Sequence, residues 1–353
     1  MLERYAYLNA GSVGPLARRT HEAMARAELA ELEEGRAGLP YLHGMLTTRD
    51  RVREAFAAQV GVDAARMSLT SSTTESCRIV IAGLGLGAGD EVVTTDAEHF
   101  GLTAPLHVSG AQVRVAEVRE LPAAEALDAI VSLVGPRTRL VAVSHVLWIT
   151  GHVLPMTELR DAVSVPLLVD GAQSIGAIPV EAEPFDFYTV SGQKWLCGPV
   201  PTGGLYVRDP ERLEVKLPSY FSQASYERDG RFEPRPGAVR FDPGWIPVPF
   251  LKGLLAALDG LPEWRFERSR EMAELCREQL MDAGYDVVTE PGHANLVSWR
   301  WDGDPAEAAK QLGEEGVLIR DMPGTGLLRA SCGYWTSEDD ITRLVAGLRR
   351  CAR

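Results

Sequence analysis

The chain has 353 residues, 45% of them apolar and 24% charged, which are the proportions of a globular enzyme and exclude a disordered or fibrous protein. A net charge of −13 and a pI near 5.1 weigh against nucleic acid or an anionic membrane as partner, because both select a basic face. No apolar run reaches the length of a bilayer span, so no membrane partner is expected.

Residues 15–38 and 48–61 are rich in Ala, Glu, Arg and Leu at helical spacing and predict helices. Strand-like and helix-like segments then alternate. DEVVTT (90–95), AQVRVAEV (111–118), RLVAVSHV (139–146), VPLLVD (165–170) and FDFYTVS (185–191) are β-branched runs, with helix-compatible segments at 74–84, 122–134 and 156–163. Such alternation predicts a mostly parallel sheet covered by helices on both faces. GGLYVR (203–208) follows too closely for a crossover and is expected to pair antiparallel. A Pro-, Arg- and Gly-rich stretch at 228–249 breaks the pattern. Beyond it, helices at 251–283, 304–315 and 337–352, with strand-like ANLVSWRW (294–301), VLIRD and LLRAS, predict a smaller α+β unit. The chain therefore divides into an N-terminal segment 1–14 contributing to the active site or the small domain, a large domain 15–244 and a small domain 245–353.

The N-terminal MLERYAYLNAGSVGP lacks the basic-then-apolar pattern of a signal peptide. Five scattered cysteines without a CxxC pair fit a reducing compartment, so a cytoplasmic location is expected. Seven histidines show no close pair, and no metal site is expected. The glycines of GLGLGAGD (83–90) lie between a helix and a strand, the reverse of the dinucleotide fingerprint, so NAD is not expected either.

Chemistry-bearing residues gather at the predicted strand ends. Only four of the 36 Lys and Arg residues are lysines, and one of these, Lys194, follows the strand 185–191 and precedes Trp195 and a Gly/Pro loop. It is either a solvated surface charge or an amine at a strand end facing a cleft. In the second case burial lowers its pKa and makes it a nucleophile able to form a Schiff base. Asp170 ends VPLLVD and either caps a turn or pairs with a protonated pyridine nitrogen. Gln173, in DGAQSIG, could bond the backbone or a phenolic oxygen on such a ring. Ser71 to Thr74 precede an amphipathic helix, as an N-cap signal or as an anion site of free N–H groups and hydroxyls. Ser191 could add another donor there. His99, in DAEHFGL, could be structural or could stack on a flat ring. Arg329, in GLLRASCGYW, could bind a carboxylate bidentately.

In chain order, YLNAGSVGPL, TSSTTES, GDEVVTTDAEH, VSHVLWITGHVLP, VDGAQSIGAIPV, DFYTVSGQKWLCGP and LRASCGYWTSEDDI together resemble the class V aminotransferase family of fold-type-I pyridoxal 5'-phosphate (PLP) enzymes. That family includes cysteine desulfurases, C–S lyases, kynureninase and isopenicillin-N-epimerase-like proteins, and the resemblance runs over nearly the whole chain. It implies an α/β, fold-type-I PLP-dependent transferase fold. The large domain would hold a mainly parallel seven-stranded sheet, next to a small α+β C-terminal domain, in a homodimer with active sites at the interface. It implies that Lys194 holds PLP in Schiff-base linkage, Asp170 pairs with the pyridinium, His99 stacks on the ring and Gln173 meets the phenolic oxygen. Ser72, Thr73, Thr74, Ser191 and Gln193 would hold the phosphate. Arg329 would take the α-carboxylate of an amino-acid substrate, with Asn9 and Trp148 on the substrate side.

Four departures narrow the reading. The family's common SGHK is SGQK here, with Gln193 before the lysine. Trp148 stands where many members have asparagine, as in the epimerase-like and lyase-like branches. In RFDPGW (240–245), Trp245 occupies the place of a threonine that reaches the partner subunit's phosphate. The loop RDMPGTGLLR (320–329) lacks the nucleophilic cysteine of the desulfurases, and Cys332 reads as a buried small hydrophobe. The expected function is β-elimination from a cysteine-derived substrate by a C–S lyase without a persulfide relay. The alternatives are an aminotransferase or epimerase of a small amino acid and, more remotely, a PLP-binding protein without turnover.

Overall fold

A strand buried on both faces can be apolar at every position, and this chain uses that freedom to build one sheet between two helical layers. The computed structural model describes residues 1–351. It begins with β1 (Ala6–Tyr7), which pairs in parallel with the distant Val317–Leu318. Helices α1 (Arg18–Glu34) and α2 (Gly38–Val60) follow. The main sheet and its covering helices then run β2 (Met67–Thr70), α3 (Thr73–Gly83), β3 (Glu91–Thr95), α4 (Phe100–Val108), β4 (Gln112–Ala116) and α5 (Ala123–Val131). They continue with β5 (Thr138–Ser144), α6 (Met156–Ala162), β6 (Leu167–Asp170), β7 (Phe187–Ser191) and β8 (Gly203–Val207).

The seven strands lie in the order β2-β8-β7-β6-β5-β3-β4, and β8 alone runs against its neighbours. Alternation along each strand feeds two cores. Val141, Val143, Leu167 and Val169 pack with residues of α2, α5, α6 and α7 (Val248–Leu258), while Leu140, Ala142 and Leu168 pack with residues of α3 and α4 on the other face. The α/β class, the seven strands and the antiparallel β8 all match the reading of the sequence.

A hairpin of β9 (Gln223–Tyr226) and β10 (Phe232–Pro234) precedes α7 and α8 (Arg265–Asp282). The chain closes with β11 (Leu296–Arg300), α9 (Pro305–Glu314), β12 (Val317–Leu318), β13 (Arg320–Met322), β14 (Leu327–Ser331) and α10 (Glu338–Cys351). Strands β11, β14 and β13 form an antiparallel sheet in that order. Its core joins Trp299, Leu328, Ile341 and Leu344 to Ala6 and Leu8 from the N-terminal segment.

Several boundaries differ from the expected ones, each for a local reason. The helix expected over 251–283 is two helices, because Gly260 and Pro262 interrupt it and proline offers no N–H to an intrahelical bond. The helix expected from 48 begins at Gly38 instead, its first turns resting on tertiary contacts that bury Met45 and Thr48. Strand β2 was hidden in a hydroxyl-rich stretch. Helix α4 was hidden because FGLTAPLHV is apolar nearly throughout and carries Pro105 inside it.

Candidate active site

Strands β3, β5, β6 and β7 end on the same edge of the sheet, and the side chains singled out in the sequence lie at or just beyond those ends. Asp170 closes β6 and is buried; its Oδ1 accepts from the Ala172 N–H and the Thr189 hydroxyl, both at 2.9 Å. No described donor bonds its second oxygen, which leaves one lobe of the carboxylate for a ligand.

Lys194 sits in the tight turn after β7. The turn is held by Gly198 N–H to Gly192 O (2.8 Å), Cys197 N–H to Lys194 O (3.0 Å) and Gly14 N–H to Gln193 O (2.8 Å), with Trp195 and Leu196 buried as anchors. Cys197 takes a left-handed φ of 54°, and a Cβ at Gly14 would lie 2.0 Å from Lys194 O, so the N-terminal segment is pressed directly against this turn. Desolvation pushes the Lys194 ammonium down to about 8; Asp170 opposes this, and Arg329 and Arg320 add to it. A sizeable neutral fraction near physiological pH makes the amine a competent nucleophile.

His99 is the N-cap of α4 and accepts the Gly101 N–H on Nδ1 at 3.0 Å. That bond assigns the ring proton to Nε2. Burial, with Lys194 nearby, holds its pKa down at about 4, so the imidazole is neutral. Its ring meets Trp148 edge-on at 4.9 Å. Gln173 uses its amide twice, donating to Gly11 O (2.9 Å) and accepting from Trp195 Nε1 (3.0 Å), and one N–H remains for a ligand. The backbone-bonding reading of Gln173 is thus realised without spending the whole side chain.

The hydroxyl-rich segment forms a capping box. Ser72 accepts from the Glu75 N–H (3.2 Å) and Glu75 reaches back to the Ser71 N–H (2.6 Å). Ser72 is therefore largely occupied as a cap, whereas Thr73 and Thr74 bring their hydroxyls and the first N–H groups of α3 to the helix N-terminus. Ser191 donates to Gln193 Oε1 at 3.1 Å, which leaves the amide N–H groups of Gln193 outward.

Arg329 on β14 is buried; one of its terminal nitrogens donates to Trp148 O, and its Nε has no partner. Arg320 on β13 is its register partner across the hairpin and donates to Ser12 Oγ (2.9 Å), which in turn donates to Asn9 Oδ1 (2.8 Å). Neither guanidinium has a carboxylate partner among the described residues. Burial, with Arg320 alongside, lowers Arg329 to about 9, as expected of a cation awaiting an anion. The sequence reading missed Arg320. An arginine beginning a glycine hairpin carries no local signature, and only strand register sets it beside Arg329. Asn9 faces Arg320 through Ser12. The indole N–H of Trp148 is buried without a partner. Trp245 lies apart from these groups, exposed and stacked on Tyr220 at 6.2 Å.

A family model described as "Aminotransferase class-V" matches residues 41–344. Isopenicillin N epimerase of Streptomyces clavuligerus is 32% identical over 381 residues, covering 97% of this chain and 93% of the relative. A cysteine desulfurase of Haloferax volcanii is 32% identical over 335 residues, covering 84% of this chain and 76% of its own. The solved complex of the cystine C–S lyase C-DES with its reaction product cysteine persulfide superposes with a TM-score of 0.91 at 29% identity, covering 98% of each chain.

Proposed function

Because the chain belongs to the class-V aminotransferase family, we propose that it catalyses β-elimination from a cysteine-derived amino acid, as a C–S lyase without a persulfide relay. It is a PLP-dependent enzyme that acts on amino acids. The strand-end residues fit that cofactor on two counts. A Cβ at Gly101 would lie 2.3 Å from Thr74 Oγ1 and 3.1 Å from His99 Nδ1, so glycine keeps open the cradle between α3 and α4. The donor set also matches the ligand's charges, with an amine of lowered pKa, a carboxylate with one free oxygen and a helix N-terminus bearing hydroxyls.

When bound, PLP supplies a carbon that the amine can capture and a protonated ring that draws electrons from the substrate Cα. Lys194 would anchor it through Nζ, and that same Nζ would serve as the base for the substrate Cα proton. Asp170 pairs with the ring nitrogen and keeps it protonated. Neutral His99 packs on the ring and adds no competing charge. Gln173 serves the phenolic oxygen, while Thr73, Thr74, Ser191 and Gln193, with Ser72 as cap, hold the phosphate. Arg329 takes the α-carboxylate, and Asn9 and Trp148 shape the substrate side. The Cα–H electron pair would form a Cα=Cβ bond as the Cβ–S pair leaves with sulfur, and one water added to the released enamine, as its imine, would give pyruvate and ammonia.

The hairpin from Arg320 to Arg329 carries this reading. It presents two guanidinium groups without counter-ions, enough for a substrate bearing more than one carboxylate, on a turn that has no cysteine. Cys332 does not substitute, since its thiol is fully buried against Cys276 and raised well above the usual range. The similarity to an isopenicillin N epimerase over 97% of the chain favours a second reading, in which the same Cα proton returns to the opposite face. Transamination shares the same first steps.

A second copy of the chain completes the site in this proposal. An apolar groove of about 620 Å³, lined by Thr74, Phe100, Gly101, Val108 and Leu217, opens beside the phosphate donors. Phe100 is 67% and Val108 80% exposed there, a pattern that suits a covering subunit. The test of function is a substrate screen with mass detection, asking whether pyruvate, a keto acid or the opposite enantiomer appears. Pyruvate absent from every thiol-leaving substrate would overturn the lyase reading.

A further inference from the structure

Two carboxylates are buried at the strand ends that carry the site, and only Asp170 has been given a role. The other, Glu98, immediately precedes His99. Its Oε1 accepts from Thr95 Oγ1 at the end of β3 (2.7 Å). Its two oxygens accept from the Ser144 N–H at the end of β5 (3.1 and 3.0 Å), and Ser144 Oγ bonds Oε2 as well. Ser144 is in register with Asp170 at the end of β6. One carboxylate therefore ties together the ends of β3 and β5, beside the Asp170 end of β6, and holds the backbone that presents His99.

The donors around Glu98 suit an ionised carboxylate, yet it has no salt-bridge partner among the described residues. The titratable groups that act on it or that it acts on are Asp170 on β6 and the thiol of Cys77 on α3. Burial pushes the Glu98 carboxyl up to about 7; the Ser144 and Thr95 hydrogen bonds oppose this, and Asp170 adds to it.

We propose that Glu98 is a positioning residue for the cofactor, holding His99 and the Asp170 strand end in place and exchanging a proton with solvent in step with occupancy at Asp170. The inference rests on Asp170 being the partner of the PLP ring nitrogen. A cation arriving at Asp170 removes the repulsion that adds to burial in raising the Glu98 carboxyl, and favours release of its proton. Linkage makes the effect reciprocal, so PLP binds more tightly to the form with Glu98 ionised and affinity rises with pH through about 7. Lys194, which must be neutral to react, gives a separate rise centred near 8.

The test is titration of the apoenzyme with PLP between pH 6 and 9, followed by tryptophan fluorescence, on wild type and Glu98→Gln. Calorimetry at pH 7 in two buffers of different ionisation enthalpy counts the protons released. Wild type should show both rises, and Glu98→Gln only the one near 8. Each pKa unit of coupling corresponds to about a tenfold gain in affinity. Wild type should also release more protons at pH 7 than the variant. Identical pH profiles and proton counts in the two proteins would overturn the proposal. If Glu98→Gln does not fold, infrared difference spectra of wild type decide: a protonated-carboxyl band lost on PLP binding supports the proposal, and no such loss overturns it. A chain that takes up no PLP at any pH fails earlier, at the cofactor assignment, and removes the premise.

Discussion

Lysine is the one cationic side chain that both forms an imine and sheds its charge when buried, and Lys194 sits where the second property enables the first. Lys194→Ala should fold normally and lack the visible absorbance of lysine-linked PLP; an unchanged spectrum would mean that another amine holds the cofactor. The arginine pair calls for a different readout, because neither guanidinium moves a proton. Arg329→Ala should raise KM for amino acids roughly ten- to hundredfold, the worth of about 1.5–3 kcal/mol for a hydrogen bond to a charged group, with a smaller change in kcat. Arg320→Ala should raise KM selectively for substrates with a second carboxylate. Equal losses for mono- and dicarboxylic substrates would show that Arg320 serves only the hairpin. The indole N–H of Trp148 and the Nε of Arg329 are both buried without a partner.

At the scale of elements, the site depends on strand ends that are locked together from behind. Asp242 shows how. It is buried at the start of the segment leading to Trp245, and it accepts from Arg49 (2.9 Å), Arg53 (2.7 Å), Ser68 Oγ and Leu69 N–H (both 3.0 Å). Asp242→Ala leaves buried Arg49 without a carboxylate and Arg53 with only the exposed Asp50, and should cost about 3–5 kcal/mol of stability, read as a lowered denaturant midpoint. A loss below about 1 kcal/mol would mean that the arginines find other partners. The sheet was legible from the sequence because its strands are short β-branched runs at regular spacing, and Lys194, Asp170 and His99 were legible because each closes such a run or follows it closely. Helix α4 was not, since its apolar residues show no face. Arg320 and Glu98 were not either, since their partners are set by register and strand order rather than by neighbours in sequence. The break between α7 and α8 could have been read from GLP at 260–262.

For the whole molecule, the exposed Phe100 and Val108 beside the phosphate donors suit a second subunit. The protein should run at about twice its 38.4 kDa mass, and Phe100→Glu should shift it toward the monomer and weaken PLP retention. A wild-type monomer with full activity would dismiss the interface. The pairing of β1 with β12 also bears on how the molecule is made. Strand β1, next to the segment carrying Asn9, Gly11 and Gly14, is synthesised more than three hundred residues before its partner β12. At roughly 5–20 residues per second, β1 waits tens of seconds for its strand partner, while Gly11 and Gly14 can already meet Gln173 and Gln193. The pairing of β1, next to the segment pressed on the Lys194 turn, is therefore completed only once the C-terminal unit has been made.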